Sequence, residues 1–231
     1  MIMKRFLYFI FLVSIAHIFY GQEKYTITGE LPDHSLDNTY LRLVEMTALT
    51  QEYERMRNAF SDSILVKDGK FFYEGIISRK PFLAWIRSPE NNKMLSVNFV
   101  IEAGDIRICV TNWAEKAVVS GTPINEDYNT YMVNRKGGLD SLLYFFNKYA
   151  SYPDVIRLHL SIWIRGKKVS KKPYFSKFMQ VVEKMPEPDR SILLGWRNYT
   201  IQRDEYREKV QPILDSIRRN RPQYVEIVPK N

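Results

Sequence analysis

An α+β protein in two parts is what this sequence predicts: an antiparallel β-sandwich-like domain over residues 22–132, then an all-helical region over residues 133–231. Three observations carry that expectation. Before residue 132 the chain breaks into short runs in which apolar and polar residues alternate, the period of a half-buried strand. After it the apolar spacing lengthens to three and four residues, the period of a helix face. Within Asp62-Ser-Ile-Leu-Val-Lys-Asp-Gly-Lys-Phe-Phe-Tyr-Glu-Gly75, an Asp68-Gly69 pair joins two strand-like runs, and a tight hairpin turn needs the positive φ that Asp and Gly tolerate best.

The first 21 residues read as an export signal: Lys4-Arg5 supplies positive charge, Phe6 to Phe19 an apolar core, and Gly21 a small residue for cleavage. The apolar run is short of the roughly 20 residues that span a bilayer, and Ser14 and His17 interrupt it. No cysteine stands near that boundary to accept a lipid, so the expectation is a periplasmic or secreted protein with at most peripheral membrane contact. Eight strands are then expected: Tyr25-Thr-Ile-Thr-Gly29, Tyr40-Leu-Arg-Leu-Val44, Ser63-Ile-Leu-Val66, Phe71 to Ile77, Phe82 to Arg87, Val97 to Ile101, Ile106 to Val110 and Ala117-Val-Val119. Thr122-Pro123 marks a helix start, with threonine at the cap and proline in the first turn, and Gly137-Gly138 a break. The clearest helical face is Tyr206, Val210, Ile213, Leu214 and Ile217, where Pro212 is expected to kink the helix or open a new one.

Charge divides at the same boundary. Residues 22–132 hold 12 Lys/Arg against 16 Asp/Glu, whereas residues 133–231 hold 20 against 10, so the overall +8 conceals a dipolar chain. The densest cluster, Arg165, Lys167, Lys168, Lys171 and Lys172, is a candidate patch for an anionic partner; its alternative is a solvated loop. Nucleic acid is not expected as a partner, because no groove-reading or base-stacking motif accompanies these charges.

Residues that could carry chemistry are sparse. Cys109 is the single cysteine, so no intramolecular disulfide can form, and its place in a strand-like run predicts a buried, inert thiol. His34 and His159 each stand apart from a second histidine or cysteine at metal-ligand spacing. Asp33, His34 and Asp37 could weakly hold a cation, but the same residues are ordinary turn chemistry. Glu52 with Glu54, and Glu187 with Asp189, read as solvated charges, since a glycosidase pair requires a cleft and a set separation. Gly104-Asp105 and Gly137-Gly138 are turns without a phosphate-loop context, and Ser120-Gly121 lacks the frame of a nucleophile elbow. Trp85, Trp113, Trp163 and Trp196 are expected to pack at cores or interfaces. No catalytic residue, cofactor site or metal site is therefore expected.

From Tyr25 to Met132 the sequence resembles a family. Ile27-Thr-Gly29, Tyr40-Leu41, Asp62-Ser63, Asp68-Gly-Lys-Phe71 with Gly75, Pro81, Phe99 to Ile108 around Gly104-Asp105, and Val119-Ser-Gly121 leading into Asn125 and Tyr128 follow one another in its order. The family is the β-rich domain of unknown function DUF4369, which precedes the thioredoxin module in thiol:disulfide interchange proteins of Bacteroidota-type cell envelopes. The resemblance implies a β-sandwich-like fold and an envelope location, and it transfers no catalytic residue. The sequence contains no Cys-x-x-Cys, so the expectation is that this chain offers the β domain without a redox centre. Two functions follow as expectations: a non-catalytic envelope module that binds a protein or glycan partner, or an accessory subunit of a thiol-redox or stress system.

Overall fold

A computed structural model describes residues 23–46, 61–77, 79–89, 95–134, 137–166 and 169–219. The expected export signal and the pair Glu52 and Glu54 lie outside the described residues. All eight expected strands form: β1 (Glu23–Glu30), β2 (Tyr40–Glu45), β3 (Ser61–Lys67), β4 (Lys70–Ile77), β5 (Phe82–Arg87), β6 (Ser96–Ile101), β7 (Gly104–Cys109) and β8 (Val118–Ser120). They join in the order β6-β5-β2-β3-β4-β1-β7-β8. The expected antiparallel pairing holds with one exception, β1 against β7, which run parallel because the chain returns to β1's free side only after the β5–β6 hairpin.

The sheet folds over on itself where β3 meets β4, which share only the Val66–Phe71 and Lys67–Lys70 pairs. One layer is therefore β6-β5-β2-β3 and the other β4-β1-β7-β8. Between them lie Ile27, Leu43, Val66, Phe99 and Ile106, all fully or almost fully buried. The Asp68-Gly69 turn has φ of 51° and 67°, the two positive values that a tight reversal between twisted strands requires. Two glycines of β1 and β4 are required by close packing. Gly29 faces Phe71 and Gly75 faces Tyr25 across the β1–β4 ladder, and each aromatic ring occupies the place where a side chain at the glycine would sit.

The helical part comprises α1 (Pro123–Asp127), a π-helical turn (Tyr128–Val133), α2 (Leu139–Lys148), α3 (Pro153–Ile164), a 3-10 turn (Val169–Lys171), α4 (Tyr174–Glu183) and α5 (Asp189–Arg219). Thr122 takes the N-cap position of α1 in an extended conformation with Pro123 in the first turn, as expected, but its side chain makes no capping bond. Phe145, Phe146, Leu160, Phe178 and Leu193 form a second core, to which β5 and β6 contribute Leu83 and Val100. The helices thus cover the outward face of β5–β6 and make a third layer.

Several expectations are corrected. Asp189 is not a solvated charge: it is buried and paired with the buried Arg157 of α3, whose guanidinium also reaches Asp154 at 3.3 Å. The start of α5 is tied to α3 by a charge-assisted bond because an unpaired ion there would be left desolvated. Pro212 starts no new helix, since α5 runs through it as one element. Its first half packs on the core through Leu193, whereas Tyr206, Ile213, Leu214 and Ile217 remain exposed because no described element reaches them.

Candidate functional site

The outer face of the β4-β1-β7-β8 layer is built by alternation. Phe71, Ile27, Gly29, Ile106 and Ile108 point to the sandwich core, so their neighbours Lys70, Phe72, Thr28, Glu30, Arg107 and Cys109 point outward. The register then sets these outward residues in rows. Phe72 lies opposite Thr28, Thr28 opposite Arg107, and Arg107 opposite Ser120. In the next row Lys67 is opposite Lys70, Lys70 opposite Glu30, Glu30 opposite Cys109, and Cys109 opposite Val118. Apart from Val118, both rows line a cavity of about 900 Å³ that opens to solvent, within the range of about 300–1,000 Å³ typical of ligand clefts.

The chemistry of this groove is that of recognition. Phe72 exposes 60% of its surface and so presents its ring to the groove. Three cations face one carboxylate: Lys70 meets Glu30 at 3.6 Å with both side chains mostly in water, and neither Lys67 nor Arg107 has an acidic partner among the described residues. An exposed pair of that kind contributes little, so Lys70 remains able to engage a ligand. The cysteine expectation is overturned here. Cys109 is exposed, because Ile106 and Ile108 take the inward positions of β7 and alternation sends Cys109 out with Arg107.

A buried polar joint fixes this domain to the helices. Glu102 accepts hydrogen bonds from the backbone N–H groups of Ile124 (2.8 Å) and Asn125 (3.1 Å) at the N-terminus of α1. Burial pushes its carboxyl above the ordinary value, and the bonds from Thr122, Asn125 and Ile124 oppose that shift. Asn125, itself fully buried, accepts from the Val100 N–H at 2.8 Å and donates to the Val100 carbonyl at 2.7 Å. Its amide thereby acts as one further strand residue on the free edge of β6. At the opposite edge, β8 lies against α1 and the π-helical turn. Neither edge of the sheet is left bare along these stretches.

The remaining sequence candidates fall as follows. In the basic cluster, Arg165 stacks over Trp196 with 5.2 Å to the ring centre, and Lys171 pairs with Glu208 of α5. Lys172 is exposed beside a surface cleft that also touches Arg207 and Asp215, while Lys167 and Lys168 lie outside the described residues. In the loop after β1, His34 Nδ1 stands 2.8 Å from Asp37, but the third group within reach is Asp68, not Asp33. Asp33 instead accepts from Ser35 and from the Trp113 indole at 2.8 Å, and its carboxyl is held below the ordinary value mainly by Ser35. Asp37 clasps the Gly69 N–H at 2.8 Å, which lowers its pKa, and its bond to His34 raises the imidazole. These groups hold the β3–β4 turn against the loop. His159 approaches the buried Tyr128 hydroxyl at 3.0 Å, and the four tryptophans are each half-buried, Trp113 against the sandwich core and Trp163 and Trp196 against the helical one.

The groove is not legible locally because its residues come from five segments, from Thr28–Glu30 to Ser120, whose strand partners no local pattern reveals. The period-2 pattern did carry a usable signal: it places Phe72, Arg107 and Cys109 out of phase with the apolar positions.

Residues 25–128, the β-rich part of the chain, match the family model described as a domain of unknown function (DUF4369). No curated protein matches the chain. Among solved structures, one that aligns is the solution structure of the CBM25-1 of a beta/alpha-amylase from Paenibacillus polymyxa, at 10% identity and a TM-score of 0.30, over 44% of this chain and 94% of that one. No helix among the described residues is long and apolar enough to cross a membrane.

Proposed function

Taking residues 25–128 as a DUF4369 domain, we propose that this chain is an exported, non-catalytic binding module that holds its partner on the outer face of the β4-β1-β7-β8 layer. One observation carries the reading: a cavity of about 900 Å³ lined by an exposed aromatic ring, hydroxyls and three cations, of which Lys67 and Arg107 have no acidic partner among the described residues. Side chains on a paired sheet are held in position before a ligand arrives, which limits the ordering entropy that binding must overcome. Lys67, Lys70 and Arg107 donate hydrogen bonds and attract negative charge, while Glu30 stands alone as the carboxylate, so the lining suits recognition better than acid–base chemistry. Export is supported by Lys4-Arg5 followed by the apolar run from Phe6 to Phe19.

The test is to replace Phe72 by the photo-crosslinking residue benzoylphenylalanine, irradiate intact cells and identify what is attached. The expected result is a defined adduct that is absent when the same residue is placed at Tyr199, on the exposed side of α5. Adducts of equal identity and yield from both positions overturn the reading. Capture of a thioredoxin-like protein at position 72 would instead favour the accessory-subunit function.

A further inference from the structure

Resting on that reading, we infer that the groove binds an acidic glycan chain, with Phe72 as the sugar platform and Arg107, Lys70 and Lys67 as the carboxylate contacts. The first consideration is what the surface can recognise. A peptide that joins a sheet does so through backbone bonds at an exposed edge. Here the Asn125 amide occupies the edge of β6 at Val100, and β8 lies under α1 and the π-helical turn. Beyond Phe71, β4 has no strand partner on its β3 side among the described residues, but the groove itself is a face made of side chains.

The second consideration is spacing. The row Phe72, Thr28, Arg107, Ser120 crosses four strands, about 14 Å at the spacing of paired strands, which suits a short oligosaccharide lying across them. Arg107 and Lys70 are two strands and one row apart, on the order of 12 Å between their Cα positions. A ligand that satisfies both carries negative groups repeated along its length. Hydroxyl-rich rings with recurring carboxylates meet that requirement together with the exposed ring of Phe72 and the hydroxyls of Thr28 and Ser120. Arg107 brings a planar fork matched to a carboxylate, and no acidic partner among the described residues competes for it.

The experiment is isothermal titration of the purified protein with polygalacturonate, with heparin, with neutral dextran and with poly-glutamate, each at low and physiological salt. Polygalacturonate is expected to bind, dextran and poly-glutamate to bind far more weakly, and heparin to report whether sulfate substitutes for carboxylate. Arg107→Gln combined with Lys67→Gln and Lys70→Gln is expected to weaken polygalacturonate roughly tenfold or more, as loss of charge-assisted contacts at an exposed site does. Phe72→Ala is expected to weaken it at both salt concentrations, since ring contact is not screened. Lys171→Gln with Lys172→Gln is expected to leave affinity unchanged. All the changed side chains are exposed, so unaltered melting curves will establish that each variant is folded. The inference is overturned by undetectable polygalacturonate binding, by poly-glutamate binding as tightly, or by an affinity that follows the helical lysines and ignores the groove. A protein adduct at position 72 without glycan affinity would overturn the glycan ligand and leave the binding module standing.

Discussion

Strands β5 and β6 bury residues on both of their faces, whereas β4, β1 and β7 bury one. In Phe82–Arg87, Phe82, Leu83 and Ala84 are consecutive buried residues; in Lys70–Ile77 only Phe71 and Ile77 are buried. The first pattern belongs to a sheet layer covered from both sides, and here Leu83 and Val100 meet the helical core while Ala84 and Phe99 meet the sandwich core. The second belongs to a layer with one open face. The same fold therefore closes one outer surface with about half of its chain and leaves the other, the one carrying the cations and Phe72, exposed. Stability should reside at the covered end and recognition at the open end.

The largest expected effect is in the helical cover itself. Asp189→Ala leaves the Arg157 guanidinium buried without its main partner and should destabilise the fold by about 3–5 kcal/mol, read from denaturant midpoints. Leu83→Ala, at the point where β5 meets the helices, should cost about 2–5 kcal/mol by the same measurement. An effect at Leu83 no larger than that of an exposed residue would show that the helices do not seal this face.

The joint between the parts gives a pH-dependent test. Glu102→Ala removes the acceptor for the Ile124 and Asn125 N–H groups and should destabilise by about 1–3 kcal/mol. Glu102→Gln keeps an acceptor oxygen and removes the charge. Because burial raises the carboxyl pKa in the fold, the native state holds its proton more tightly than the unfolded chain, so this group makes the protein less stable as pH climbs from the unfolded value through the folded one. Melting curves of wild type and Glu102→Gln should therefore run parallel in acid, diverge across that interval and stay separated above it, with the Gln variant gaining stability relative to wild type.

The smallest effect on stability is expected at the open end. Phe72→Ala and Arg107→Gln should each change folding free energy by about 0.5 kcal/mol or less, since neither removes a buried contact. Their effect should show in ligand affinity. A large loss of stability at Phe72 would mean that the ring supports the sheet, and the division between the two ends would fail.

Much of this architecture was legible locally. The eight strands, the Asp68-Gly69 turn and the helix start at Thr122-Pro123 each follow from residues within a few positions of one another. Cys109 lies in an apolar run yet faces solvent, because alternation along β7, not the character of its neighbours, sets its side. Asp189 was misread because its partner, Arg157, lies 32 residues away. The exposed row Tyr206, Ile213, Leu214 and Ile217 shows the converse, an amphipathic pattern that forms a helix without being buried by the described residues.

By itself the sequence determined the element types, the charge asymmetry and the absence of any disulfide within the chain, because periodicity, composition and a single cysteine act through the residue and its near neighbours. Tertiary structure alone decided which outward residues share a surface. Thr28, Phe72, Arg107 and Ser120 come from four segments, and only the long-range register of β1 with β4 and β7, and of β7 with β8, sets them in one row. That register is selected by the collective burial of the opposite face, since a slip of one residue would turn Ile27, Phe71 and Ile106 out of the core.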